Sequence, residues 1–197
     1  KLPSDYVVEF TGLSKEELNS GSQTAIIFVL SLVFVYFILA AQYESFLLPL
    51  AVIISLPLGV AGAYFGQKIA GLENNIYFQI ALIMLVGLLA KNAILIVEFA
   101  VQRRHHGETL AMSAINAAKA RLRPILMTSF AFIFGMLPLV FASGIGKVGN
   151  QSIGTGAATG LLIGTFFGLI AIPVLYVIFQ WLQEKIKPIK ENEIHLA

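Results

Sequence analysis

The sequence predicts an all-α, polytopic membrane bundle of five transmembrane helices preceded by a short βα remnant of an aqueous domain. Composition is the first reason: 57% of the 197 residues are hydrophobic and only 12% are charged, against about 45–50% and about 25% in soluble domains. Five long apolar stretches are the second, namely 23–41, 46–66, 76–99, 124–142 and 153–179. A bilayer core of about 30 Å needs roughly 20 helical residues, and backbone in lipid must satisfy its own hydrogen bonds, so each stretch is read as a helix. The third is the placement of Lys and Arg, which sets an orientation.

Residues 1–21 precede the first span. Tyr6–Phe10 (YVVEF) alternates like a strand, Thr11-Gly12 turns the chain, and Ser14 with Glu17 forms a capping box that opens a short helix. The chain starts with neither Met nor a signal-peptide pattern, so it is read as a piece of a longer polypeptide. Spans one and two are joined only by Gln42-Tyr43-Glu44-Ser45, which makes them an antiparallel hairpin. After span three, Gly107 stops a helix. Leu110, Ala114, Ala117 and Ala118 then recur at helical spacing, which predicts an amphipathic surface helix near 109–122. Span four opens on Pro124, a good first-turn residue. Span five is followed by a polar tail, 181–197. The bundle itself occupies 22–180.

Eight Lys and Arg flank one side of the spans: Arg103, Arg104, Lys119, Arg121, Arg123, Lys185, Lys187 and Lys190. Lys1, Lys15, Lys68 and Lys147 flank the other. That asymmetry puts the loop between spans three and four, and the C-terminus, in the cytoplasm. A net charge of +2 with no basic block argues against nucleic acid as a partner. Cys is absent, no phosphate-binding loop occurs, and His105, His106 and His195 all lie outside the spans. Neither an enzyme, a cofactor nor a metal site is expected; span serines such as Ser31, Ser55 and Ser129 have no base within reach.

Lys91 is the thirteenth cation, about 22 Å into its helix counted from Ile76. A charge at that depth faces protein or a wet cavity and marks ion or proton chemistry; the plainer reading is a lysine snorkelling to the cytoplasmic interface. Met84, Gly87, Lys91, Ile94 and Glu98 share one stripe, and Asn92 adds a second polar group. Glu98 lies two turns from Lys91, about 10 Å along a regular helix, too far for a direct ion pair. The spans contain no Asp and no other Glu, so a close counter-charge must come from sequence outside this chain. Thr128 lies one turn inside span four and shares a face with Arg121 and Pro124; it reads either as a relay member or as a threonine bonded to its own backbone. Gly156, Gly160, Gly164 and Gly168 form three consecutive GxxxG steps, a pattern for close helix packing.

The runs GLLAKNAILIVEF (87–99) and RLRPILMTS (121–129) resemble signature segments of resistance-nodulation-division multidrug efflux pumps. EFTGLS (9–14), AAQYES (40–45), LPLGV (56–60) and 148–156 resemble the same family in the same order, so the likeness covers nearly all of the chain to about Phe179. The resemblance implies the end of a periplasmic porter subdomain followed by helices eight to twelve of twelve. It implies that Lys91 pairs with aspartates of another helix, that Thr128 and Arg121 accompany it in a proton relay, in which Asn92 is counted as the second polar group beside Lys91, and that the whole is a drug/proton antiporter of the inner membrane of a Gram-negative cell. Implied partners are the missing N-terminal part of the polypeptide, two further copies in a homotrimer, a periplasmic adaptor, an outer-membrane channel, the lipid bilayer and hydrophobic or amphiphilic small molecules. Ala90-Lys91-Asn92 points to the hydrophobe/amphiphile branch over metal pumps. On the residues alone, a channel or scaffold with Lys91 as a structural counterion is the competing reading.

Overall fold

A computed structural model describes residues 13–186, with side chains from Ile26 onward. Five helices follow one another: α1 (Leu13–Tyr43), α2 (Leu48–Ile69), α3 (Ile76–His105), α4 (Leu110–Val140) and α5 (Lys147–Ile186). All five contain apolar stretches long enough to cross a membrane. The connections are only four to six residues long, so consecutive helices run antiparallel. Left-handed backbone appears where the chain must reverse sharply, as at Gly107 (φ 89°) after α3 and at Glu44 (φ 48°) after α1.

Several boundaries differ from the sequence expectation: α3 runs on to His105 where the sequence predicts the span to end at 99, and α5 runs from Lys147 to Ile186 where it predicts 153–179, so the segment expected as a tail from 181 begins as helix. The surface helix expected near 109–122 and the span expected from Pro124 are one continuous helix, α4. Pro124 removes a backbone donor and should weaken the helix there. Ala117 and Ile125, on either side of it, are fully buried in the core, and that packing carries the helix through the proline. The expected strand Tyr6–Phe10 lies outside the described residues, and among the described residues there is no strand. The short helix expected from Ser14 is not separate either, since α1 begins at Leu13 and continues to Tyr43.

The helix α5 is the hub, packing against α2, α4 and α3, whereas α1 touches the rest lightly through α2 and α3. Its pairing with α2 is the most extensive and is built on small residues. A Cβ on Gly164 would sit 2.9 Å from the Gly59 Cα and 2.7 Å from the Leu89 Cδ2. One on Gly160 would meet Leu85, the Ala63 Cβ at 2.9 Å and the Gly59 carbonyl at 3.1 Å; one on Gly156 would meet the Phe78 ring at 2.7 Å. Gly168 is looser, with its nearest neighbour, Ile172, at 3.5 Å. Outward faces stay apolar: Phe34, Phe37 and Ile38 on α1, Met127 and Phe134 on α4, and Phe166 on α5 are all exposed, as expected of surface in contact with lipid or with further helices.

The helices α3 and α5, with 30 and 40 residues, are about 45 and 60 Å long, so both outrun a hydrocarbon core of about 30 Å. Their last turns meet at the basic end in a polar lattice. The Arg104 guanidinium donates to both Glu184 carboxylate oxygens at 2.8 and 2.9 Å, and through a third nitrogen to the Glu108 carbonyl at 2.8 Å. Arg103 pairs with the Glu108 side chain at 2.7 Å and Asn116 donates to the same carboxylate at 3.0 Å. Asn116 foremost, and Arg103 with it, hold the Glu108 carboxyl below the usual carboxylate range. Bidentate pairing fixes geometry as well as energy. Arg104→Ala is therefore expected to cost about 1–2 kcal/mol, read as a lower thermal midpoint in detergent, whereas Arg104→Lys should recover only part of it because an ammonium cannot bridge both oxygens.

Candidate functional site in the membrane

The candidate site is the middle of α3 and the facing turn of α4. Lys91 is exposed on α3, in a recess whose opposite wall is Val35, Ile38, Leu39 and Gln42 of α1. No ion pair or hydrogen bond joins Lys91 to another side chain among the described residues. A lysine at the centre of a spanning helix costs about 3 kcal/mol to insert, and nothing in the recess offsets that, because its other lining groups are apolar except Gln42.

Asn92, the next residue, turns the other way. It is half-buried, and its Nδ2 donates to the Ser129 Oγ of α4 at 3.4 Å. Ser129 is buried and shares a 3.1 Å hydrogen bond with the Thr165 Oγ1 of α5. Three helices are thus joined by one polar chain through an apolar interior. Beside it lies a cavity of about 10 Å³ lined by Ser55, Asn92 and Thr165 among apolar neighbours, roughly the room that one water needs.

Thr128 precedes Ser129 and is exposed. Its hydroxyl donates within its own helix, to the Pro124 and Ile125 carbonyls, each at 3.1 Å. The oxygen lone pairs remain able to accept from an ammonium. No hydrogen bond joins Lys91 to Thr128 among the described residues. Helix geometry nevertheless puts them on one flank. Asn92 and Ser129 point at one another across antiparallel helices, and stepping back one residue rotates each side chain about 100°. In an antiparallel pair those rotations have opposite sense, so Lys91 and Thr128 emerge on the same flank.

Arg121 lies two turns from Thr128 toward the basic end. Its guanidinium sits 4.6 Å over the Phe99 ring of α3, and Arg103 stacks on the same ring at 5.0 Å, a cation–π arrangement that ties α4 to α3. Glu98 is not near Lys91; it borders a separate recess with Gln42, Tyr43, Glu44 and His105.

Lys91, Asn92, Thr128 and Arg121 stand out in the sequence, whereas Ser129 and Thr165 do not stand out there as a pair. Their inward projection follows only from the fold: Ser129 lies four residues after Ile125 and Thr165 four after Leu161, both fully buried positions, so each hydroxyl must find a partner.

Residues 1–180 match the model of the AcrB/AcrD/AcrF family. Among curated proteins, the toluene efflux pump membrane transporter TtgB of Pseudomonas putida is 46% identical over 177 residues, covering 90% of this chain and 17% of that protein. The multidrug resistance protein MdtF of Escherichia coli K12 is 44% identical over 188 residues, 95% of this chain and 18% of its own length. The solvent-resistant pump membrane transporter SrpB of P. putida is 43% identical over 195 residues, 98% and 19% respectively. The chain therefore spans less than a fifth of the length of the curated relatives it matches.

Proposed function

The chain belongs to the AcrB/AcrD/AcrF family, and on that premise we propose that it forms the C-terminal transmembrane part of a proton-driven efflux transporter for hydrophobic or amphiphilic small molecules. The observation that carries this reading is Lys91, a cation at membrane depth exposed in a recess between α3 and α1. A cation in that position needs a carboxylate, and the spans offer only Glu98, in a different recess. Its partner belongs to the part of the polypeptide outside this chain.

The switch then works by charge. With the carboxylate ionised, Lys91 is held by it. Protonation cancels the attraction, and the ammonium turns to an acceptor on its own flank, the Thr128 hydroxyl oxygen. Arg121 and the other cations mark the cytoplasmic end, where the proton leaves. The relatives' names, which speak of toluene, solvent and multidrug efflux, support apolar substrates. Partners on this reading are two further copies, a periplasmic adaptor and an outer-membrane channel, in an inner membrane.

In proteoliposomes holding the complete transporter, an imposed proton gradient is expected to drive an amphiphilic dye across the membrane, and a protonophore to stop it. Dye movement indifferent to the gradient would contradict the reading and favour a channel. In the same assay Thr128→Ala is expected to slow transport about ten- to a hundredfold, the worth of one hydrogen bond to a charged group, whereas Thr128→Ser should retain most of it.

A further inference from the structure

We propose that Ser129 and Thr165, acting through Asn92, are positioning residues that set the rotation of α3 and α4 so that Lys91 and Thr128 face the same partner. The inference rests on the proton-coupled reading above and adds two residues to it. Neither touches the migrating proton; each acts through the neighbour of a residue that does.

Ser129 and Thr165 are buried, 4% and 6% exposed, between Ile125 and Ile172, which are also buried. A hydroxyl placed there without a partner would be costly, so the pair is held at one rotational setting of α4 on α5. Asn92 extends a weaker restraint to α3, its Nδ2 standing 3.4 Å from the Ser129 Oγ. Apolar packing alone tolerates small rotations of a helix about its axis, because one methyl replaces another at little cost. A hydrogen bond does not, since it weakens steeply once distance and angle depart from the optimum. Each bonded residue is the sequence neighbour of a flank residue, Asn92 of Lys91 and Ser129 of Thr128. Fixing one fixes the other about 100° away.

The pattern also selects the direction of the restraint. Ser129 accepts from the Asn92 amide, and a single hydrogen lies between the Ser129 and Thr165 oxygens. If Ser129 donates, the Thr165 hydrogen is left for the small cavity that Asn92 and Ser55 also line. The hydroxyl of Ser55 donates to the Val52 carbonyl at 2.6 Å and retains lone pairs to accept. The clasp is therefore open to closure across α2, α3, α4 and α5 at one level of the bundle, the level of Lys91.

A rotation of α3 would change the distance from the Lys91 ammonium to its carboxylate. Retreat from about 4 to about 5 Å, at an effective dielectric of about 20, weakens the pair enough to raise the carboxylate pKa by about 0.6 unit. The carboxylate would then bind its proton at higher pH. No other titratable group lines the Lys91 recess. Among the described residues, those on the elements packed around α3 are Tyr36 and Tyr43 on α1 with Glu44 just after it, Tyr64 and Lys68 on α2, Lys119, Arg121 and Arg123 on α4, and Lys147, Tyr176, Glu184 and Lys185 on α5, with Tyr77, Glu98, Arg103, Arg104 and His105 on α3 itself; none pairs with Lys91.

The test uses the complete transporter in proteoliposomes, comparing Thr165→Val, Thr165→Ser, Ser129→Ala, the Ser129→Ala/Thr165→Val double variant and Lys91→Ala. Valine matches threonine in shape and lacks the hydroxyl. Thr165→Val and Ser129→Ala are each expected to slow proton-driven transport several-fold and to move its pH profile about 0.6 unit toward alkaline. The double variant should be no worse than Ser129→Ala, which already removes the Ser129–Thr165 bond together with the acceptor of Asn92, and Thr165→Ser should restore the rate and the profile. An unshifted profile in both single variants, or equal impairment by Thr165→Val and Thr165→Ser, would overturn the proposal. If Thr165→Val fails to accumulate, Ser129→Ala decides by the same two readouts. Lys91→Ala separates the two levels: normal transport in that variant defeats the proton-coupled reading, while a dead Lys91→Ala beside a normal Thr165→Val defeats only the clasp.

Discussion

Alanine in place of Lys91 is expected to abolish export by the complete transporter while leaving its amount in the membrane unchanged. Unit charges about 4 Å apart at an effective dielectric of about 20 attract by roughly 4 kcal/mol, and removal of that bias is worth about a thousandfold in the balance between two helix arrangements. Stability should not suffer. Lys91 is exposed and forms no ion pair among the described residues, and deleting an intramembrane cation removes an insertion cost of about 3 kcal/mol. Susceptibility of cells to an exported compound, read beside the protein level, checks this. Retained resistance at normal expression would show that Lys91 is a snorkelling lysine.

The second large effect is expected at Gly164. Leucine there would drive its Cβ to 2.9 Å from the Gly59 Cα, and backbone cannot swing aside as a side chain can. The helices α2 and α5 must then separate along their whole contact. Overpacking of this kind costs about 3 kcal/mol or more, and because α5 also carries α3 and α4, the loss should appear as poor accumulation and a lowered thermal midpoint. Gly168→Ala is the internal control. A Cβ at Gly168 has its nearest neighbour at 3.5 Å, an ordinary contact, so this change should be neutral or stabilise by up to about 1 kcal/mol through helix propensity. Equal tolerance of both substitutions would mean that α2 and α5 do not meet as described.

Much of this was legible in sequence because the bilayer restricts what a chain can do. Five apolar stretches became five helices, since no other conformation satisfies the backbone in lipid. Lys91 stood out because a charge among apolar residues is conspicuous by composition alone. The opening of α4 was less legible: Pro124 and the polar residues before it looked like a boundary, and only the burial of Ala117 and Ile125 against neighbouring helices made the segment one helix. Which stripe of a helix meets which partner is a tertiary fact. The spacing of Gly156 to Gly168 spoke of close packing but not of Gly59 on α2 as the opposing surface. Ser129 and Thr165 were hidden for a related reason, because a serine or threonine in a spanning helix commonly bonds its own backbone, as Thr128 and Ser31 do. Only the folded arrangement separates those from the two that bond across helices.

The central claim is that Lys91 holds a carboxylate of another segment in its ionised form. Infrared difference spectroscopy on the complete transporter, following the C=O stretch of protonated buried carboxyls as pH is varied, tests it directly. Removing a cation raises the pKa of the carboxyl it faced, so Lys91→Met is expected to move that titration upward by up to about 3 units, the equivalent of roughly 4 kcal/mol. A titration that coincides in wild type and Lys91→Met would contradict the account.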